Sequence, residues 1–142
     1  MHFTKLHGLG NDFVTFDNRD GAIAEEKKNA LAARLCHRRT GVGGDGLILV
    51  ENSEPCDTRM RIFNSDGSEA EMCGNASRCV GRFAWEHALT GRPVIRLETL
   101  AGIKLLQRVD DDGGCPSRVC VDMGTPELAR QRIPVRPDAA SD

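Results

Sequence analysis

The sequence predicts an α+β fold in which a curved, mainly antiparallel sheet packs around a central helix, and three observations predict it. Strand-like and helix-like segments are mixed without a repeating strand-helix-strand order, which disfavours a doubly wound parallel sheet. The stretch from Gly74 to Leu89 places Ala76, Val80, Phe83 and His87 along one stripe and is apolar enough to be buried. Between Arg118 and Met123, Val119, Val121 and Met123 alternate with Arg118, Cys120 and Asp122, the period of a half-buried strand, and Asp110-Asp111-Asp112-Gly113-Gly114 supplies the turn before it.

The elements follow in order. Phe13 to Phe16 is the first strand candidate. A helix comes next: Leu31 and Leu35 lie four apart, with Ile23, Lys27 and Lys28 upstream. Arg34, His37, Arg38 and Arg39 crowd its end, where basic groups suit the dipole, and Gly41 is placed to cap it. Leu47 to Val50 and Arg59 to Phe63 read as strands. The second helix runs from about Gly74 to Leu89 with Gly91 as its stop, and Val94 to Thr99 and Ile103 to Val109 are further strand candidates in what reads as antiparallel hairpins. Residues 1–133 thus form one lobe, and 134–142, with Pro134 and Pro137, read as the start of a linker.

At 142 residues the chain suits one domain that buries roughly two-thirds of its unfolded surface. Its 19 basic and 21 acidic residues are interspersed, with a net charge of −2, so there is no electrostatic footprint for nucleic acid or an anionic membrane. The start, Met1-His2-Phe3-Thr4-Lys5-Leu6-His7, has no apolar export region, and no later stretch approaches a bilayer span. A soluble, cytoplasmic protein with its six cysteines reduced is expected.

The richest chemistry lies in Met72-Cys73-Gly74-Asn75-Ala76-Ser77-Arg78-Cys79, where a strand-and-turn region gives way to a helix. The first N–H groups of a helix have no intrahelical partner, so its start attracts negative charge and favours the thiolate of a cysteine placed there. Such a sulfur can act as a base, and the same N–H groups can hold a carboxylate. Together they suit proton transfer at the α-carbon of an amino acid.

Lys5-Leu6-His7-Gly8-Leu9-Gly10-Asn11-Asp12-Phe13, Gly41-Val42-Gly43-Gly44-Asp45-Gly46, Arg61-Ile62-Phe63-Asn64-Ser65-Asp66-Gly67-Ser68-Glu69 and Cys73-Gly74-Asn75 with Arg78-Cys79 closely resemble the diaminopimelate epimerase family. Thr99-Leu100-Ala101-Gly102 and Val121-Asp122-Met123-Gly124-Thr125-Pro126 extend the likeness over essentially the whole chain, matching the amino-terminal lobe of a two-lobed enzyme. The resemblance implies cofactor-independent, two-base interconversion of LL- and meso-diaminopimelate in lysine and peptidoglycan precursor synthesis. It matches Cys73 to the catalytic cysteine of the first lobe, with the second cysteine in a carboxy-terminal lobe beyond residue 142. It matches Asn11 and Asn64 to substrate-binding asparagines, and Gly74 and Asn75 to the positions whose backbone amides hold the α-carboxylate. The chain alone is then expected to be inactive. The implied partner is a small-molecule amino acid, diaminopimelate, with no nucleic acid, no membrane, no metal and no cofactor; a homodimer is left open. Two departures stand out: Ala76 replaces a second glycine of typical relatives, which is favourable if that residue is helical, and Gly46 stands where some relatives carry glutamine.

Competing readings are weaker. Cys79 lies six residues beyond Cys73, about 240° around a helix, and reads as core. Asn11 and Asn64 are on local chemistry alone plain turn residues. His7, His37 and His87 read as structural, and Arg78 as a packing or ion-pair residue. Gly41 to Gly46 fits G-x-G-x-x-G but precedes a strand instead of opening a helix, so it is a glycine-rich turn. Asn75-Ala76-Ser77 fits a glycosylation acceptor by coincidence. A zinc or redox module would use Cys73, Cys79, Cys115 and Cys120, whose spacing is looser than paired C-x-x-C. Another two-cysteine amino acid racemase and a noncatalytic binding unit are the remaining alternatives.

Overall fold

Among the described residues, eight strands form one sheet that curls around a helix, with a second helix on its other face. The computed structural model describes residues 2–109 and 118–133, so the expected turn at 110–114, Cys115 and the linker at 134–142 lie outside the described residues. The elements are β1 (Thr4–Gly8), β2 (Asn11–Asp17), α1 (Lys28–Cys36), β3 (Gly46–Glu51), β4 (Thr58–Asn64), β5 (Glu69–Ala70), α2 (Gly74–Glu86), β6 (Val94–Thr99), β7 (Gly102–Val109) and β8 (Arg118–Val121). The sheet order is β1-β2-β3-β4-β6-β7-β8, with β5 paired to β4.

The expected α+β class and curved, mainly antiparallel sheet are present. Five of the seven pairings are antiparallel, while β2 with β3 and β4 with β6 are parallel. A helix spans each parallel pair, as the crossover between parallel neighbours requires. The sequence reading missed these two crossovers because each occurs once, between hairpins, and leaves no repeating period. It also missed β1 and the two-residue β5, both too short or too polar to show an apolar alternation.

The core has two layers. Phe13, Ile48, Val50, Met60, Ile62, Ile95, Leu97 and Leu106 pack on Ala76, Cys79, Val80, Phe83 and Ala84 of α2. On the other face Val14, Phe16, Leu47, Leu49 and Phe63 pack on Ile23 and on Ala32 and Cys36 of α1. The run Leu47-Ile48-Leu49-Val50 is apolar without a break because β3 is covered on both sides. Each large side chain buried in this way contributes roughly 1.5–3 kcal/mol, so α2 is fixed by its apolar stripe. The helix touches both edge strands, β1 and β8, which is how the sheet comes to wrap it.

Both helices stop earlier than the glycines suggest. After α1, the N–H groups of Gly43 and Gly44 donate to the carbonyls of Leu35 and Cys36, so these residues and not Gly41 cap it. After α2, Ala88 takes φ 51°. The Leu89 N–H donates to the Ala84 carbonyl at 2.8 Å and the Ala88 N–H to that of Trp85 at 3.2 Å, a Schellman motif closed without Gly91.

Candidate active site

The site is built where α2 begins. Cys73 is the residue before the helix, with extended backbone at φ −145° and ψ 119°, and no side chain caps the helix start. The first turn carries no acidic residue, so no carboxylate of the helix itself offsets the partial positive charge of its first amides. The first bond of the helix runs from the Ser77 N–H to the Cys73 carbonyl at 2.9 Å, and the Ser77 hydroxyl donates to the same carbonyl at 3.0 Å. Both fix the Cys73 backbone without engaging its sulfur. The side chain is half-buried: it rests against the α2 core on one side and is open on the other.

The β1–β2 hairpin supplies the next group. Its two-residue turn, Leu9-Gly10, has φ 55° and 88°, the left-handed pair that matches the twist of the flanking strands. The turn brings Asn11 against the helix start, where its Nδ2 donates to Cys73 Sγ at 3.9 Å. Gly8 makes this approach possible. A Cβ at that position would lie 3.0 Å from the Asn75 carbonyl oxygen and 3.2 Å from the Asn75 Cβ. Met123, after β8, covers the start from another side: its sulfur lies 3.4 Å from where a Cβ on Gly74 would be.

Of the residues singled out in the sequence, Asn11, Cys73, Gly74 and Asn75 are therefore assembled in one place. Asn64 is less intimate. It ends β4 at the same end of the sheet, in the row that joins Phe13, Gly46 and Asn64, and its exposed side-chain amide donates to the Ser68 hydroxyl at 2.9 Å. Ala76 is helical and fully buried, so a methyl there costs no strained backbone and fills the core. Gly46 has its space closed off: a Cβ would lie 2.8 Å from the Phe63 carbonyl oxygen. A longer side chain does not fit that position in this chain.

The other thiols have different surroundings. Cys79 is buried on the core face of α2, and burial pushes its thiol up to about 11. Burial raises Cys36 as well. Cys120 is exposed on β8, and Cys115 lies outside the described residues. Among the described residues, no three His, Cys, Asp or Glu side chains converge to hold a metal ion. A cavity of about 540 Å³ opens between β1, α2 and β8, with Lys5, His7, Leu9, Arg78 and Arg118 on its wall. The thiol on that wall is Cys79 and not Cys73.

Sequence reasoning passed over three contributors. Gly8 stands in a quoted motif, but only the packing on Asn75 shows its task. Arg78 donates to Asn75 Oδ1 at 2.9 Å, a contact that its spacing of three on a helix made readable. Lys5, Asp12, Arg38 and Asp45 form an ion-pair cluster behind Asn11 that no sequence period announces.

Comparison with known proteins decides the relationship. The family model described as diaminopimelate epimerase matches residues 3–129. This chain belongs to the diaminopimelate epimerase family. The diaminopimelate epimerase of Acetivibrio thermocellus is 49% identical over 138 residues, which is 97% of this chain and 48% of that protein. That of Moorella thermoacetica is 50% identical over 135 residues, 95% of this chain and 48% of that protein. The chain therefore spans about half the length of the curated relatives it matches. Among solved structures, a phenazine biosynthesis protein of the PhzF family from Bacillus anthracis matches with a TM-score of 0.61 at 25% identity, over 80% of this chain and 36% of that one. A hydroxyproline epimerase from Agrobacterium vitis matches with a TM-score of 0.59 at 18% identity, over 80% and 38%. The fold of this chain is thus shared with that phenazine biosynthesis protein and that hydroxyproline epimerase.

Proposed function

We propose that this chain is the amino-terminal lobe of a diaminopimelate epimerase, with residues 1–133 as the lobe and 134–142 opening a linker to a second lobe. The observation that carries the reading is the thiol of Cys73 at the uncapped start of α2 with the Asn11 amide donating to it. In this reading the Cys73 thiolate takes the α-proton of diaminopimelate, the C–H electron pair stays on carbon, and a thiol of the second lobe delivers a proton to the opposite face. The reverse direction exchanges the two roles.

The residue types suit the task. An α-proton is far less acidic than a thiol, so the carbanion needs preorganised donors in a site from which water is excluded. In this reading the Gly74 and Asn75 amides hold the α-carboxylate, and a residue without a Cβ at Gly74 lets it approach the main chain. Asn11 and Asn64 can each offer a donor and an acceptor, fixing a zwitterion without adding a competing charge. No cofactor is required by this chemistry, and the enzyme belongs to lysine and peptidoglycan precursor synthesis in the cytoplasm.

Inversion demands acid and base on opposite sides of one carbon, so the isolated chain is inactive in this reading. The test is a substrate panel with the chain completed by a carboxy-terminal half. Conversion of diaminopimelate supports the assignment; conversion of proline or hydroxyproline in its place would redirect it to another two-cysteine racemase.

A further inference from the structure

We propose that Arg38 is a positioning residue for Asn11, holding it through Asp12 at the distance from which its amide reaches the Cys73 thiol. The inference rests on the reading of Asn11 and Cys73 given above and deepens it. Asn11 is the first residue of β2, directly after a tight turn and paired with Gly8 of β1, and on the side toward β3 it is held through its neighbour Asp12. Asp12 is held by every polar group it has. Its N–H donates to Asp45 Oδ2 at 3.0 Å, and its carbonyl accepts the Asp45 N–H at 2.7 Å. Its carboxylate accepts Arg38 Nη2 at 2.7 Å and Nη1 at 3.3 Å, and pairs with Lys5 Nζ at 2.7 Å.

Arg38 also donates to Asp45 Oδ1 at 2.7 Å, so one guanidinium bridges the two carboxylates that lock the strand to the loop before β3. Without it, Asp12 and Asp45 face each other with Lys5 paired to Asp12, and Lys5 is also donating to the Gly43 carbonyl. Arg38 itself lies beyond the end of α1 with its side chain 59% exposed, which leaves it little packing role. The Asn11 amide meets the sulfur at 3.9 Å, a long N–H to sulfur contact, so a shift of a few tenths of an ångström in Asp12 that lengthens it weakens it further. Arg38, first, and Lys5 hold the Asp12 carboxyl well below the usual carboxylate range, which keeps the bridge charged at neutral pH.

The experiment is site-resolved carboxamidomethylation of Cys73 in this chain with iodoacetamide near neutral pH, followed by peptide mapping. A donor to the reacting sulfur steadies the negative charge it carries as it attacks, so losing the donor slows the reaction. Arg38→Ala is expected to slow Cys73 alkylation on the order of threefold to tenfold, Asn11→Ala to slow it at least as much, and the double variant to be no slower than Asn11→Ala alone. Arg38→Lys, which can reach one carboxylate, recovers part of the rate. Alkylation of Cys79 in the same digest reports unfolding; if Arg38→Ala exposes Cys79, the cycle is read from Arg38→Gln, which keeps a donor. Equal slowing in the wild-type and Asn11→Ala backgrounds, an unchanged rate or a faster one would overturn the proposal. No substrate enters this measurement, so its failure and the failure of the epimerase reading are told apart.

Discussion

The side-chain amide of Asn11 and the thiol of Cys73 meet at 3.9 Å although they lie 62 positions apart in the chain. Two local choices produce the meeting. A two-residue turn with positive φ at Leu9 and Gly10 folds β2 back along β1, and the absence of a capping side chain leaves the start of α2 open beneath it. The sulfur thereby gains a side-chain donor while the helix amides remain available to a second anionic group.

In the proposed function, replacing that sulfur removes the base and little else. Cys73→Ser in the completed enzyme is expected to lower epimerisation on the order of 10³-fold or more, since a serine hydroxyl is a far weaker acid than a thiol. Because Cys73 is only half-buried, the thermal midpoint stays near that of the parent. Steady-state rates and a melting curve on the same preparations check both statements.

Gly8→Ala is expected to act at the same place through packing. The new methyl would sit 3.0 Å from the Asn75 carbonyl oxygen, a backbone atom that cannot rotate away, so the hairpin and the helix start must separate. A destabilisation of about 1–3 kcal/mol is anticipated. The urea midpoint should fall together with the rate of Cys73 alkylation; a variant that loses neither removes Gly8 from the account.

Ala88→Gly tests the end of the same helix in the opposite direction. Ala88 is held at φ 51°, a conformation that an L-residue with a Cβ pays for and glycine adopts freely. The substitution is expected to stabilise the chain by about 0.5–1 kcal/mol, read as a higher urea midpoint at constant m-value.

Acid should weaken the fold through carboxylates tied to α1. The Glu25 carboxyl is drawn down from an ordinary 4.5 to about 2, first by the Arg61 guanidinium and then by Lys28. The unfolded chain takes up its proton at the higher pH, so this contribution is complete above about 4.5, declines as pH falls and is gone below about 2. Asp12 and Asp17 are lowered too and act with the same sign. Urea midpoints measured across this range should fall with pH, and Glu25→Gln should flatten the curve.

Much of this was legible in the sequence because the signals were local. The apolar run of β3, the stripe of α2 and the thiol at the helix start each announce themselves within a few residues. What escaped reading depends on distant contacts. The parallel pairings of β2 with β3 and β4 with β6 are set by which faces the two helices cover, and β5 exists through its partner β4. The helix stop at Ala88 overrides residue preference because Leu89 gains a place in the core. Gly8 and Arg38 matter through neighbours 67 and 26 positions away, respectively Asn75 and Asp12, and no spacing rule reaches so far.

The central claim, that Cys73 moves the α-proton from one face of diaminopimelate, is tested most directly by isotope exchange. The chain completed by a carboxy-terminal half is incubated with LL-diaminopimelate in deuterium oxide, and α-deuterium and the LL-to-meso ratio are followed together. Deuterium should enter the α-carbon as the meso form accumulates, and both signals should vanish for Cys73→Ser. Undiminished exchange and inversion in the folded Cys73→Ser protein would contradict the account.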